Sequence, residues 1–483
     1  SFNDYFVNIG GQLASNIPNT SQDPINYLSG DFPNSIYLSP IDENEVSLCI
    51  MRLRDGCPGH DGIKPSVIKR CKDLIVTPLT HIFNMSIREG HVPDSLKRAY
   101  ITPVFKSGDS EKFNNYRPIS VLPSFSKVLE RLIFKRLYQY LSSNAILSNS
   151  QFGFRQGLST EMALITAIDF ITDAIDKKET ALGLFLDLRK AFDTVDKEIL
   201  LNKLSYYGIR GNALSWFRSY LTNRSQSVKY FNTISNELGV NMGVPQGSIL
   251  GPLLFILYVN DLPNILNGVK PIMFADDTTL FSSDKDINVA VDCLNQNLSR
   301  LSLWFKSNRL SLNVTKTNYM LFTTSPTIRS QDPVILIDNV SIKRVTNIKF
   351  LGVLIDERLN WSFHIDHICS KLRKNIGILR KISNTLDTKT MITLYYSLIY
   401  PYLLYCHLIW GKTTKTHLDR IFLLQKRAIR VICKEPFFAH TDNLFTECKI
   451  VRFHDLYSYV ASIFVYKIKK NLFPSVFKDQ LTI

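Results

Sequence analysis

Two adjacent carboxylates, Asp276 and Asp277, interrupt an apolar run from Ile272 to Phe281. Like charges at contact distance raise each other's pKa, so burying such a pair is costly unless a cation neutralises it. Strand formers stand on both sides, in Phe274-Ala275-Asp276-Asp277-Thr278-Thr279, which puts the acids in the turn of a hairpin, projecting from its end. Asp187 likewise ends an apolar strand, Ala181 to Leu186. Three carboxylates from strand ends suit two Mg²⁺ ions held about 4 Å apart, an arrangement that activates an attacking hydroxyl and stabilises a leaving pyrophosphate. Taken one at a time, each motif has a plainer reading: a helix cap at Asp187, and a polar turn at Asp276-Asp277.

The surroundings of these acids are an α/β alternation. Arg98 to Lys106 alternates like a strand and runs into the turn signal Ser107-Gly108-Asp109, which predicts a hairpin. Helices are expected over Lys127 to Leu141, Thr160 to Asp176, Lys197 to Tyr207, Ala213 to Leu221 and Ile249 to Asp261, and a strand over Ser225 to Tyr230. Residues 1–45, rich in Asn, Ser, Pro and Asp, read as an extended lead-in without chemistry. Beyond about residue 365 the pattern is helical and basic, with no strand expected.

Charge points to the class of partner. Fifty-seven Lys and Arg against 42 Asp and Glu leave a formal +15, which favours an acidic polymer over a small acidic molecule. From Trp361 onward there are 19 basic and 8 acidic residues, a surplus of 11 in about a quarter of the chain. Such a segment docks on phosphates or is simply a solvated basic surface. The eight cysteines are scattered without a Cys-x-x-Cys spacing and read as reduced core thiols of an intracellular protein; His364, His367 and Cys369 read as packing residues, not as a metal site. Ser1 to Gly11 has neither the basic flank nor the apolar run of a signal peptide. Met391 to Trp410 is uncharged and long enough to span a bilayer, but its Pro401, His407 and five Tyr predict a buried helical hairpin broken at Pro401, so no membrane is expected as partner.

The motifs do not stand alone. Phe185-Leu186-Asp187-Leu188-Arg189-Lys190-Ala191-Phe192-Asp193, then Gly243-Val244-Pro245-Gln246-Gly247-Ser248, then Phe274-Ala275-Asp276-Asp277 occur in the order and spacing of reverse-transcriptase palm motifs. Around them lie Asn115-Tyr116-Arg117-Pro118-Ile119-Ser120, Gln151-Phe152-Gly153-Phe154-Arg155, Leu312-Asn313-Val314-Thr315-Lys316-Thr317 and Phe350-Leu351-Gly352. Over roughly residues 45 to 430 the chain resembles the reverse transcriptases of non-LTR (LINE-type, jockey-like) retrotransposons.

That resemblance implies a right-hand polymerase of α/β (α+β) class, with fingers over 46–180, a ferredoxin-like catalytic palm over 181–360 and a basic helical thumb and C-terminal region over 361–483. Asp187, Asp276 and Asp277 would hold two Mg²⁺, with Mn²⁺ as a possible substitute, and Lys316 would donate a proton to pyrophosphate. Lys106 and Arg117 would clasp the incoming triphosphate, which suits a polyanion. Phe192, expected at the start of the helix after the catalytic strand, would sit under the sugar, and Gln246 with Gly247 would brace the nucleotide or the template base. Lys371, Arg373, Lys374, Lys426, Arg427 and Arg430 are the candidate phosphate contacts of the thumb. The implied partners are an RNA template, a DNA primer and dNTPs, in a ribonucleoprotein of nucleus and cytoplasm. The chain departs from the family pattern at Leu96, where Trp is common, and neither an endonuclease set in 1–45, a Cys/His knuckle nor an RNase H acid set is seen, so a polymerase alone is expected. Three other readings stay open: a catalytically silent copy that only binds nucleic acid, an RNA-dependent RNA polymerase, which Phe192 disfavours, and a group II intron maturase.

Overall fold

The computed structural model describes residues 1–18 and 20–474. In chain order its strands are β1 (Arg98–Phe105), β2 (Tyr116–Val121), β3 (Thr180–Leu186), β4 (Arg224–Tyr230), β5 (Thr233–Ile234), β6 (Leu238–Val240) and β7 (Lys270–Phe274). They continue as β8 (Asp277–Asp284), β9 (Asn318–Phe322), β10 (Leu336–Ile337), β11 (Val340–Ser341), β12 (Lys343–Arg344), β13 (Asn347–Phe350) and β14 (Val353–Asp356). One sheet runs β2-β1-β4-β5 with β6 on β4, and a second runs β12-β9-β3-β8-β7. Within the first, β4 lies parallel to β1, so residues 224–240 share a sheet with residues 98–121.

The second sheet carries the carboxylates, and β3 at its centre explains why. All seven β3 residues are buried, because both of its faces are covered. Leu182, Leu184 and Leu186 point into one core, while Ala181 and Phe185 point into another shared with the C-terminal helices. Two of the covering helices, Thr160–Asp176 and Ile287–Ser307, show their origin in sequence. Ser159 and Asp286 cap them by accepting from Met162 N and Asn288 N, and Ile287, Ala290, Leu294, Leu298 and Leu301 recur at three- and four-residue spacing on the buried side.

Under this sheet sits an ion pair without solvent. Lys203 Nζ lies 2.6 Å from Asp261 Oδ1 and both side chains are fully buried. Lys203 also donates to the Tyr258 carbonyl at 2.7 Å, and Trp304 Nε1 donates to Asp261 Oδ2 at 3.2 Å. With its lone pairs and protons used in this way, the pair ties the helices Lys197–Tyr206, Gly251–Tyr258 and Ile287–Ser307 together.

Several expectations change. The lead-in is not extended throughout: Phe2–Ser15 forms a helix, α1, whose Phe6, Gly10 and Ala14 face inward at four-residue spacing. Its buried Asn3 donates to the carbonyls of Gln226 and Asn236 at 3.2 and 2.8 Å, so tertiary contacts override a polar composition. The helix expected from Ile249 to Asp261 is shorter, Gly251–Tyr258, followed by a 3₁₀ turn at Leu262–Ile265. Cys57 is exposed and so is not a core thiol. The uncharged stretch is not a buried hairpin broken at Pro401: it forms three short helices, Thr388–Leu398, Tyr400–Leu404 and His407–Trp410, first broken at Ile399, with Tyr396 and Tyr405 exposed; among the described residues no helix is long and apolar enough to cross a membrane. From Ser362 on, the described residues are helical and contain no strand; 475–483, the end of the expected basic segment, lie outside them. His364 is buried edge-on to Trp410 at 5.4 Å, and burial pushes its pKa down to about 4, as packing in a core requires.

Removing one partner of the buried pair should cost far more than removing both. Lys203→Met is expected to lower unfolding stability by about 3–5 kcal/mol by stranding Asp261, with Lys203→Met/Asp261→Leu recovering part of that loss. Urea unfolding midpoints check this, and equal losses for the single and double variants would contradict it.

Candidate active site

The acid hairpin is held from behind. Phe274 pairs with Asp277, leaving Ala275 and Asp276 as a two-residue turn with Ala275 at φ 58°. Tight hairpin turns need positive φ, which costs a non-glycine residue on the order of 1 kcal/mol or more. The brace is Gln151, buried, whose Oε1 accepts from Ala275 N at 2.9 Å and from Gly153 N at 2.8 Å. Phe152 N donates to the Met273 carbonyl and Met273 N to the Ser150 carbonyl, both at 2.8 Å. Gly153 passes so close that a Cβ there would lie 2.3 Å from Ala275 N, a space only glycine leaves open. Gln151-Phe152-Gly153 is thus the rear support of the acids, a role the sequence pattern did not disclose.

Asp187 reaches the same place from β3. Leu186 pairs with Thr278, so the next residue, Asp187, stands opposite Asp277. Asn313 fixes it twice, by its backbone N to the Asp187 carbonyl at 2.7 Å and by Nδ2 to Oδ2 at 2.8 Å. Burial raises the Asp276 carboxyl, and Asp187 adds to the rise while Lys106 and Arg117 oppose it. Asp277 is pushed up to about 6 by burial, then by Asp276 and Asp187, with Lys106 opposing. The positive charges present therefore do not cancel the negative ones.

Asp187, Asp276, Asp277, Lys106, Arg117, Phe192, Gln246, Asn313 and Lys316 all line one cleft of about 700 Å³. Lys106, Arg117 and Lys316 are exposed, and among the described residues none of them forms an ion pair. Gly247, at φ 120°, backs the cleft: a Cβ there would lie 2.6 Å from the Ser120 carbonyl, and Ser120 N donates to the Gln246 carbonyl at 2.7 Å. Asp187, Asp277 and Lys316 also border a second opening of about 480 Å³, edged by Lys349, Phe350 and Leu351. Among the described residues no three His, Cys, Asp or Glu side chains are already gathered at metal-ligand spacing. The donor chemistry nonetheless fits hard divalent cations, since three carboxylates with unbalanced charge flank one space.

Phe192 lies in a turn and not at a helix start, because the chain stays irregular from Asp187 until the helix begins at Lys197. Its ring stacks on buried Phe255 at 4.5 Å and meets Phe154 edge-on at 6.3 Å, leaving one side to the cleft. Beside it Asp193 is half-buried with its carboxylate shielded from solvent, which pushes its pKa up to about 6, and Gln246 Nε2 donates to its Oδ1 at 2.7 Å. Sequence reasoning also missed α1, whose Tyr5, Ile9 and Leu13 form part of the cleft wall. The periodicity of those three residues was the available signal.

The basic candidates lie away from this cleft, on two helices packed together. Ser362–Ile382 carries Lys371, Arg373 and Lys374, and Lys415–Cys433 carries Lys426, Arg427 and Arg430. Arg373, Lys374 and Arg427 are exposed; Lys426 lies 4.6 Å from the Phe422 ring, and Arg430 Nε donates to the Ala439 carbonyl at 2.8 Å.

Residues 106–355, the stretch that builds this cleft apart from α1, match the family model described as reverse transcriptase (RNA-dependent DNA polymerase). The chain is 32% identical over 90% of its length to the probable RNA-directed DNA polymerase from transposon X-element of Drosophila melanogaster, covering 48% of that protein. It is 32% identical over 88% of its length to that from transposon BS of the same species, covering 48% of it. To the RNA-directed DNA polymerase from mobile element jockey, also of Drosophila melanogaster, it is 28% identical over 93% of its length, covering 50%. The chain thus spans about half the length of these relatives. With the family match covering just over half of its residues and the matched motifs meeting on one cleft, the chain belongs to the reverse transcriptase (RNA-dependent DNA polymerase) family.

Proposed function

We propose that this chain is the RNA-directed DNA polymerase of a non-LTR, jockey-like retrotransposon, adding dNTPs to a primer 3′-hydroxyl on an RNA template. The observation that carries this reading is the cleft in which Asp187, Asp276 and Asp277 lie with Lys106, Arg117 and Lys316, cations that form no ion pair among the described residues. In this reading residues 46–180 are fingers, 181–360 the palm and the basic helices after 361 a thumb, with Lys371, Arg373, Lys374, Lys426, Arg427 and Arg430 toward phosphates.

Asp187, Asp276 and Asp277 would hold two Mg²⁺, or Mn²⁺ in their place. When bound, the ions would lower the pKa of the primer hydroxyl and neutralise charge on the leaving pyrophosphate. Lys106 and Arg117 clasp the triphosphate, and Lys316 stands beside the acids to deliver a proton to the departing group. Phe192, propped by Phe255, presents a flat wall to the sugar. Asp193 orients the Gln246 amide, and Gly247 lets that loop lie against Ser120. The second opening, edged by Phe350 and Leu351, also reaches Asp187 and Asp277, and in this reading it would take the primer end.

Asp276→Asn or Asp187→Asn should cut nucleotide addition by at least about 10²–10³-fold while template binding persists, because the charge is lost but the phosphate-contacting surface is not. Extension at near wild-type rate by either purified variant rules out the catalytic assignment.

Metal-free protein should show the strain of the acids in its pH dependence. A carboxyl raised from 3.8 to about 6 contributes stability that is fully present below 3.8 and is lost as pH rises through about 6. Asp277→Asn is therefore expected to raise the melting temperature relative to wild type at about pH 8, with the gain shrinking toward about pH 4. Mg²⁺ should stabilise wild type more than this variant. Equal melting curves at both pH values, with and without Mg²⁺, would argue against the site.

Phe192→Val tests the sugar wall. A ribonucleotide there meets a clash and a buried hydroxyl without a partner, the latter alone costing about 1–3 kcal/mol. The wild type should thus discriminate at least about tenfold against rNTPs, and a folded Phe192→Val enzyme should lose part of that preference. An unchanged rNTP to dNTP ratio would make the ring a core residue only.

A further inference from the structure

Around α1 a cluster of aromatic rings has gathered that extends beyond the catalytic cleft. Phe2 packs on Phe113 at 4.8 Å, on Tyr116 at 4.9 Å and on Tyr230 at 5.9 Å, and Tyr230 meets Phe231 at 4.7 Å. Three segments distant in sequence supply them: α1, the loop joining β1 to β2, and the tip of the β4–β5 hairpin. Phe231 is 82% exposed, and Phe105, Phe113 and Tyr230 are between 40% and 46% exposed. Phe231 also holds φ 50°, a conformation that glycine or asparagine adopts at lower cost and that is rare for a bulky side chain. A folding core explains neither that exposure nor that choice of residue.

The cluster is continuous with the cleft, since Tyr5 touches Phe113 at 5.9 Å and both Tyr5 and Tyr116 line the cleft wall. One cation reaches it: Lys190 Nζ lies 5.7 Å from the Tyr5 ring and donates to the Asn114 and Tyr116 carbonyls at 3.4 and 3.3 Å. Exposed aromatic faces beside a cation suit bases whose own faces are free, together with their phosphates. A duplex hides its base faces, which leaves a single strand as the occupant.

We infer that α1 and the aromatic tips beside it form a stacking shelf for the unpaired template strand ahead of the catalytic cleft. The inference rests on the polymerase reading for what enters the cleft, but its test reads binding and not synthesis. The probe is an RNA template annealed to a DNA primer, with a 5′ template overhang of about six nucleotides or none, and the variants are Phe113→Ala/Phe231→Ala and Phe231→Trp in the full chain. Wild type should bind the overhang form more tightly than the blunt form. The double alanine variant should lose that gain by on the order of tenfold or more, with blunt binding and salt slope unchanged, and Phe231→Trp should keep it. Absence of an overhang gain in wild type, its retention in the double variant, or a variant effect on self-association alone would each overturn the shelf. A wild type that shows the gain yet adds no nucleotide would leave the shelf standing and remove the polymerase reading; one that extends the primer without any overhang gain would do the reverse.

Discussion

The register between β3 and β8 decides where negative charge collects. Leu186 opposite Thr278 puts Asp187 opposite Asp277, with Asp276 in the turn beside them. A slip of one residue would carry each apolar side chain of β3 to the wrong face, and both faces are buried, so the slip is blocked by two cores at once. The acids are therefore not brought together by attraction. Hydrophobic burial along β3 and β8 forces them together, and the carboxyls of Asp276 and Asp277 are raised first by that burial and then by the neighbouring acids.

Acids crowded in this way need rigid supports, and the turn at Asp276 and the strand end at Asp187 each have one. Gln151 and Gly153 hold the Asp276 turn from behind, and Asn313 grips Asp187 through both backbone and side chain. Beneath them the buried Lys203–Asp261 pair fixes the helices on which the sheet rests. Motifs far apart in sequence, Gln151-Phe152-Gly153 and Leu312-Asn313, turn out to serve one turn and one strand end.

What the sequence made legible follows from how local each signal is. The hairpin at Asp276-Asp277, the strand before Asp187 and the helix Thr160–Asp176 were readable because periodicity and turn chemistry lie within a few residues of one another. The lead-in was misread because its polar composition outweighed the four-residue spacing of Tyr5, Ile9 and Leu13, and because Asn3 and Gly10 meet partners more than 180 residues away. Phe192 was put at a helix start because the turn from Leu188 to Asp196 leaves only a weak trace in residue type. Its apolar wall survives that correction, since the prop is Phe255 on another element.

The two signs of charge are built differently, and the difference bears on function. Each acid is short and tied to strand ends or a braced turn, so its position is set before any ligand arrives. Each cation, Lys106, Arg117 or Lys316, is a long exposed side chain without an ion-pair partner among the described residues, free to follow what it binds. A metal centre demands fixed ligands, because loss of geometry is loss of affinity, whereas a triphosphate that must bind, react and leave is better met by side chains that move with it. In the proposed function, ion pairs between these cations and the acids would stabilise the free protein at the expense of metal and triphosphate binding. Among the described residues no such pair forms, and in that reading the cleft is organised for ligands and not for its own stability.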